Sequence, residues 1–352
     1  MKKTLVALAA LAAVGAVSAQ SVTLYGLIDT SLVFTDKAGV STTSLNAGTM
    51  SGPRWGMQGT EDLGGGLNAV FVLEGGFSSD TAEIGQSTAS PAFAAGIAKD
   101  AAKLPKIFGR QAFVGVSGPF GTLTVGRQYT PTDKVFSIDA AGAAGAGGGG
   151  AMYATFCTNF ANIDSKCVGR QDNSINYRLP AMGGIVGNVM MGLDESATAT
   201  SVYQPQKLVG LQVGYGAGPL ALQFATDSIT ATNASKSDTG WLAGVNYNLG
   251  AAKVSAIFAG GTSAADTVDS GWALGAGIPM GATTIALSYA RETSKASGAT
   301  AEAVTSAWGG NVIYSLSKRS NVYASYTNKE DVSAANVSVK GTFLGVGMRH
   351  SF

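Results

Sequence analysis

The sequence predicts an all-β fold: a 16-stranded antiparallel transmembrane β-barrel with a long third extracellular loop folded into its lumen. Three observations carry the expectation. The chain opens with an export segment, yet no later stretch approaches the eighteen or so consecutive apolar residues of a spanning helix. Segments of strict apolar–polar alternation recur along the rest of the chain. The joins between those segments alternate between short turns and long polar loops, as periplasmic turns and extracellular loops do in outer-membrane barrels.

The export segment is read from Met1-Lys-Lys-Thr4 as a basic start, Leu5 to Val17 as an apolar stretch and Val17-Ser18-Ala19 as a small-residue cleavage site. The alternative is an N-terminal membrane anchor. Residues 1–19 are therefore assigned to a signal peptide and 20–352 to a single barrel domain. Cleavage removes Lys2 and Lys3 and leaves 21 basic against 22 acidic residues, so no global field points to nucleic acid or to a charged surface. Charged residues make up only 13% of the chain, against about 25% in ordinary soluble domains, and the 49 glycines are about twice the usual share. A secreted soluble β-protein is the competing class on composition alone.

In chain order, Val22, Leu24, Ile28, Leu32 and Phe34 share one face, with Thr23, Tyr25, Asp29 and Ser31 on the other. After a first loop, Trp55 and Met57 take the outer parity, and Arg54, Gln58 and Thr60 the inner. The glycines of Glu61-Asp-Leu-Gly-Gly-Gly66 suit a tight turn. The return strand, 68–77, sets Ala69, Phe71, Leu73 and Phe77 outward and Asn68 and Glu74 inward. Thr122 to Arg127 and Asn173 to Leu179 then flank the insertion at 128–172, which has almost no period, a glycine run from Gly142 to Gly150, and both cysteines. So long a structureless join counts against a compact domain. In a barrel it can fold inward and narrow the lumen. Later strands alternate cleanly, with Trp241, Ala243, Val245, Tyr247 and Leu249 on one face and Gly244, Asn246 and Asn248 on the other. Aromatic residues gather toward segment ends, as interfacial girdles do.

Seven segments end by Leu193, and nine more begin near 207, 219, 239, 253, 271, 282, 303, 321 and 338. That count of sixteen is even, so a closed barrel keeps both ends in the periplasm. A barrel of this size is too wide for side chains to fill and holds an aqueous channel.

Four stretches resemble a known family, the Gram-negative general porins of the β-proteobacterial, anion-preferring trimeric type. They are Gln20-Ser-Val-Thr-Leu-Tyr-Gly26, Gly59-Thr-Glu-Asp-Leu-Gly-Gly-Gly-Leu67, Gly118-Pro-Phe-Gly-Thr-Leu-Thr-Val-Gly-Arg-Gln128 and Gly345-Val-Gly-Met-Arg-His-Ser-Phe352. The resemblance spans 20–352 and is weakest in the outer loops. It implies a homotrimer of sixteen-stranded barrels with the third loop in each pore, and Phe352 as the signal read by the barrel-assembly machinery. Such a chain would sit among outer-membrane lipid and lipopolysaccharide and pass small hydrophilic solutes and inorganic anions by passive diffusion.

Arginines in matching contexts of similar porins form a cluster facing the inward loop, which singles out Arg54, Arg110 and Arg170; solvated arginines near the rims are the alternative. Arg54 has inner parity, Arg170 is in register with Ser174, Asn176 and Arg178, and the parity of Arg110 is open. Guanidinium groups stay charged at any relevant pH, so together they make a fixed positive wall. A chloride about 6 Å from one arginine gains roughly 0.7 kcal/mol in water-like dielectric, so three give roughly 2 kcal/mol before screening. Modest anion preference follows, not exclusion of cations. Arg127 shares parity with Leu123 and Val125, so it needs a bulge after Gly126 to avoid lipid, where a charge costs about 2 to 4 kcal/mol. Glu74, Asp133 and Asp139 are candidate negative partners across the constriction, or else anchors for loop amides.

Cys157 and Cys167, in an exported and oxidising setting, are expected to form a disulfide. No metal or cofactor is expected. His350 falls on the outward face, which leaves an outer-membrane hydrolase without a base. A substrate-specific sugar channel would want a stair of inward aromatics, for which Tyr25 and Tyr323 are the candidates. A structural or adhesin barrel would need neither arginine wall nor inward loop.

Overall fold

A computed structural model describes residues 21–84, 106–141, 169–193, 206–231 and 234–352. The signal segment, the Gly142–Gly150 run, Cys157 and Cys167 lie outside the described residues. Among the described residues, no helix is long and apolar enough to cross a membrane.

Strands carry the fold. The first group is β1 (Ser21–Lys37), β2 (Val40–Ala47), β3 (Arg54–Gly64), β4 (Leu67–Gly76), β5 (Gln111–Gly118), β6 (Gly121–Tyr129), β7 (Arg170–Arg178) and β8 (Ile185–Gly192). The second is β9 (Gln206–Ala217), β10 (Leu220–Ala231), β11 (Asp238–Asn248), β12 (Lys253–Thr262), β13 (Val268–Met280), β14 (Thr283–Lys295), β15 (Ala303–Ser315), β16 (Ser320–Val332) and β17 (Ser338–Ser351). Every neighbouring pair is antiparallel, and β17 returns to β1 from Leu27↔Ser351 to Lys37↔Gly341. The sheet therefore closes on itself and leaves no edge to manage.

Seventeen segments make sixteen staves. β2 and β3 both pair with β1, β2 along residues 30–37 and β3 along residues 21–27, so the two are one wall strand interrupted at 48–53. The stretch read from sequence as a first loop is thus mostly strand, with only Ala38 and Gly39 turning between β1 and β2. Closure is completed at the terminus, where Phe352 and Gly26 exchange both backbone hydrogen bonds at 3.1 and 3.2 Å. The Phe352 ring lies over Gly26 so closely that a Cβ there would come within 2.2 Å of it.

Two faces with different solvents explain the alternation. On β1, Val22, Leu24, Ile28, Leu32 and Phe34 are exposed on the outer surface, while Asp29 and Ser31 are buried within. Tilted ring pairs, Trp272 with Tyr289 and Trp308 with Tyr326, stand on the outer face at centroid distances of 5.3 and 5.2 Å. Such amphipathic rings suit a headgroup boundary. His350 is exposed on the same face and shares a 2.8 Å hydrogen bond with Ser320.

The inner wall is not uniformly polar. A short helix, α1 (Pro131–Val135), follows β6 and is extended by a 3-10 turn at Phe136–Ile138. Proline at the first helical position explains its start, because the ring presets φ and the missing N–H would be unpaired there anyway. Val135 and Ile138 are buried against Ala225, Leu242, Ile257 and Ala259 of β10–β12. Burying each of the two contributes about 1.5 to 3 kcal/mol. Polar ties extend the attachment: Thr132 donates to Asp227 from its amide at 3.3 Å and from its hydroxyl, and Asn246 donates to the Ile138 carbonyl at 2.8 Å. At Gly275 a Cβ would lie 2.2 Å from Asp139 Oδ1, so the wall must be bare there. Residues 131–141 therefore lie against the inner faces of β9 to β13.

Candidate functional site: the pore constriction

The strands bring three of the named arginines to one place. Glu74 stands on the inward parity of β4 and is almost fully buried. It accepts from Arg110 Nε at 2.6 Å and from the Tyr25 hydroxyl at 2.9 Å. Arg110 lies one residue before β5, and its amide also donates to the Glu74 carbonyl at 3.1 Å. Its Nη2 reaches the Tyr129 hydroxyl at 2.6 Å, and Arg170 Nη2 reaches the same oxygen at 2.8 Å. One phenol thus holds two guanidinium groups together. Its ring adds to the hold, with the Arg170 guanidinium carbon 4.4 Å from the centroid, Lys134 Nζ at 5.7 Å and Arg110 at 6.0 Å.

Arg54 completes the group. Its Nε donates to the Gly52 carbonyl at 2.9 Å, and it lies within electrostatic reach of Arg110, Tyr129, Glu74 and Arg170. Like charges this close repel, and the Glu74 carboxylate and the lone pairs of Tyr129 hold Arg110 and Arg170 in place as the Gly52 carbonyl holds Arg54. Glu74 and Tyr129 are fixed by strands, so the positive wall is preorganised and does not depend on long flexible arms.

Irregular backbone sets the aim of two members. Between β6 and β7, Gly126 pairs with Ser174 but Gln128 pairs with Gln171, so the register slips where Asn173 has a φ of 50°. Arg170 meets Tyr129 across this irregularity and not by unbroken alternation from Ser174. Gly126, at φ 130°, starts the slip that Arg127 required. Arg127 then donates to the Gly109 carbonyl at 2.6 Å and to Asp172 at 2.8 Å, where Lys106 also pairs at 2.6 Å. It belongs to an ion-pair group at the ends of β6 and β7, while the Tyr129 cluster is built without it.

The acidic candidates part company. Asp139 Oδ1 accepts from Ser255 at 3.1 Å and from the Ala141 amide at 3.0 Å, so it ties the loop to β12. Asp133, on α1, is surrounded by Arg170, Lys134, Arg110 and Arg54; burial pushes its carboxyl up while those cations pull it down, and the net direction is up. Burial pushes the neighbouring Lys134 ammonium down, and Arg178 lowers it further. Tyr25 and Tyr323, the inward aromatics named from the sequence, spend their hydroxyls on Glu74 and Asp29.

Tyr129, Lys134 and Asp227 belong to this arrangement, and the sequence did not single them out. The Thr130-Pro131 step signals a helix start and would have drawn attention to Tyr129 and Lys134 on either side of it. Beside the cluster a cavity of about 420 Å³ is lined by polar groups including Thr23, Gln58, Gln111, Asn176 and Arg178. Among the described residues, no group of three His, Cys, Asp or Glu side chains is placed to hold a metal ion. The chemistry such a site offers is electrostatic: fixed cations along a wet passage.

A family model described as Gram-negative porin matches residues 4–334. Outer membrane porin protein 32 of Delftia acidovorans is 32% identical over 377 aligned positions, covering 100% of both chains. An outer membrane porin protein of Bordetella pertussis is 30% identical over 260 positions, covering 66% of this chain and 61% of that one. Among solved structures, the anion-selective porin from Comamonas acidovorans superposes with a TM-score of 0.74 at 27% identity, covering 95% of this chain and 100% of that one. OmpT of Vibrio cholerae in its trimer form gives 0.68 at 15% identity, over 95% of this chain and 100% of that one, a likeness of fold alone. With a family model spanning most of its length and a full-length relative above 30% identity, the chain belongs to the Gram-negative porin family and is a porin of the outer membrane.

Proposed function

We propose that this porin is a passive diffusion channel with modest anion preference, set by Arg54, Arg110 and Arg170. The single observation that carries the reading is the shared hold of Tyr129 on Arg110 and Arg170 at 2.6 and 2.8 Å, which fixes two permanent cations at one level. Rings of arginine are a usual device for anion pores. Glu74 offsets one of the charges, which keeps the preference modest. The segment at 131–141 narrows the lumen. Arg127, paired with Asp172, contributes to the loop frame.

The protein works as a homotrimer after cleavage behind Ala19, with residues 20–352 as the barrel. It is inserted by the barrel-assembly machinery, which reads Phe352, and it sits among lipid and lipopolysaccharide. The anion selectivity of the Comamonas porin supports the anion preference, and a barrel of the same fold, OmpT of Vibrio cholerae, occurs in a trimer form. No catalytic step is assigned to it.

Liposome swelling tests the proposal. Neutral sugars of increasing size should enter at rates that fall smoothly with size, and an anionic solute should enter faster than a cation of equal size. Saturable uptake of one sugar over its isomers would instead show a substrate-specific channel. Folded protein that admits no solute would point to a structural barrel.

A further inference from the structure

The barrel carries a second inward excursion, on the wall that holds Arg54. β2 leaves β1 at Ala47 opposite Thr30, and β3 rejoins it at Arg54 opposite Leu27. Six residues, Gly48 to Pro53, thus face only Ile28 and Asp29. Thr49, Met50 and Ser51 are buried on the inner side, as is Asp29.

One carboxylate gathers this segment. Asp29 Oδ2 accepts from the Met50 amide at 2.9 Å and from the Ser51 amide at 2.7 Å, and its Oδ1 accepts from the Tyr323 hydroxyl on β16. The Asp29 carbonyl takes the Gly48 amide at 2.9 Å. Arg349 on β17 donates to the Ser51 hydroxyl at 3.0 Å, so the segment is tied to both sides of the closure between β1 and β17. Its far end meets the arginine wall: the Gly52 carbonyl receives Arg54 Nε at 2.9 Å, and a Cβ on Gly52 would stand 3.3 Å from Arg110 Nη1. A run from Asp29 through the 48–53 backbone to two constriction arginines is continuous.

We propose that Asp29 is a positioning residue for the pore: it pins residues 48–53 as a fixed bracket inside the lumen, from which Gly52 aims Arg54 and borders Arg110. The proposal rests on the reading of these arginines as the selectivity site. It makes a prediction of opposite sign to simple electrostatics. Removing a carboxylate from a pore wall should raise anion preference through charge alone. Removing the bracket should lower it, because Arg54 loses its fixed acceptor.

Reversal potential and single-channel conductance, measured on wild type, Asp29→Ala, Asp29→Asn, Arg54→Ala and the Asp29→Ala/Arg54→Ala double variant, test this. Barrel folding is checked by heat-modifiable electrophoretic mobility. Asp29→Ala should lower the anion-to-cation ratio, though less far than Arg54→Ala, whose bound is roughly tenfold at low salt, the worth to anion and cation together of one arginine about 6 Å away. Asp29→Asn keeps an oxygen for the Met50 and Ser51 amides and should stay at or above the wild-type ratio. The double variant should show no further fall below Arg54→Ala, since both changes act on one element. A ratio in Asp29→Ala equal to or above wild type, or an additive double variant, would overturn the proposal. Should Asp29→Ala not fold, Tyr323→Phe carries the test: a smaller fall supports it and an unchanged ratio overturns it. If wild type and Arg54→Ala both show no anion preference, the arginine reading has failed. The bracket is then judged by conductance, which should change in Asp29→Ala and stay put in Asp29→Asn; no change in either overturns it.

Discussion

Replacing Glu74 by glutamine removes one negative charge from the constriction and leaves its shape nearly intact. The amide oxygen can still accept from Arg110 or Tyr25, and Tyr129 still holds Arg110 at 2.6 Å. Glu74 sits against the Arg110 guanidinium, so a chloride passing about 6 Å from the pair feels both charges, and they nearly cancel. Removing the acid favours the anion by about 0.7 kcal/mol and disfavours the cation by as much in water-like dielectric, a factor of about ten in the anion-to-cation ratio at low salt. At 0.15 M salt the Debye length of about 8 Å cuts this energy roughly in half, to about threefold, and at 1 M the length of about 3 Å leaves little. The assay is zero-current potential across a planar bilayer at one fixed KCl ratio and three mean concentrations. Wild type and Glu74→Gln should diverge at the lowest concentration and converge at the highest. A fall in anion preference, or a rise that salt does not screen, would refute the assignment of Glu74 as an electrostatic counterweight.

Further outcomes follow from the same geometry. Tyr129→Phe keeps the ring and removes the oxygen that accepts from Arg110 and Arg170; hydrogen bonds to charged groups are worth about 1.5 to 3 kcal/mol each, so both arginines should loosen, with noisier single-channel currents and a smaller anion preference. Gly26→Val would drive a side chain into the Phe352 ring, and the heat-induced mobility shift of the barrel should occur at lower temperature than in wild type. Acidification should raise anion preference before ordinary carboxylates titrate near pH 4, because Asp133 is pushed up and neutralises early, leaving the surrounding cations unopposed. At alkaline pH the preference should fall ahead of ordinary lysines, near 10.4, because Lys134 is pushed down. Asp133→Asn should flatten the acid limb of that profile and Lys134→Gln the alkaline limb.

Much of the wall was legible in the sequence because its two faces meet different solvents. Val22, Leu24 and Ile28 against Thr23, Tyr25 and Asp29 reads as a strand between lipid and water with no further information. Glu74 and Arg54 followed from the same parity, and the bulge at Arg127 followed from the cost of a charge in lipid. Arg110 resisted, since it precedes the first residue of β5 and is placed by its own contacts with Glu74. The docking of 131–141 resisted for a different reason. Leu242 and Ile257 are apolar on the inner face, which makes sense only if something covers them, and that cover comes from more than a hundred residues earlier in the chain. The excursion at 48–53 is harder still. Gly48, Gly52 and Pro53 announce a break in the strand, but its inward direction depends on Asp29 and Tyr323, which are 294 residues apart.

The central claim is that Arg54, Arg110 and Arg170 form a fixed positive wall across an open pore. Zero-current potential under a dilute KCl gradient, compared between wild type and the triple arginine-to-alanine variant, tests it most directly. The account predicts a chloride-side potential in wild type that collapses toward zero, or reverses under Glu74 and Asp133, in the variant. A cation-side potential in wild type, or a chloride-side potential that survives loss of all three arginines, would contradict it.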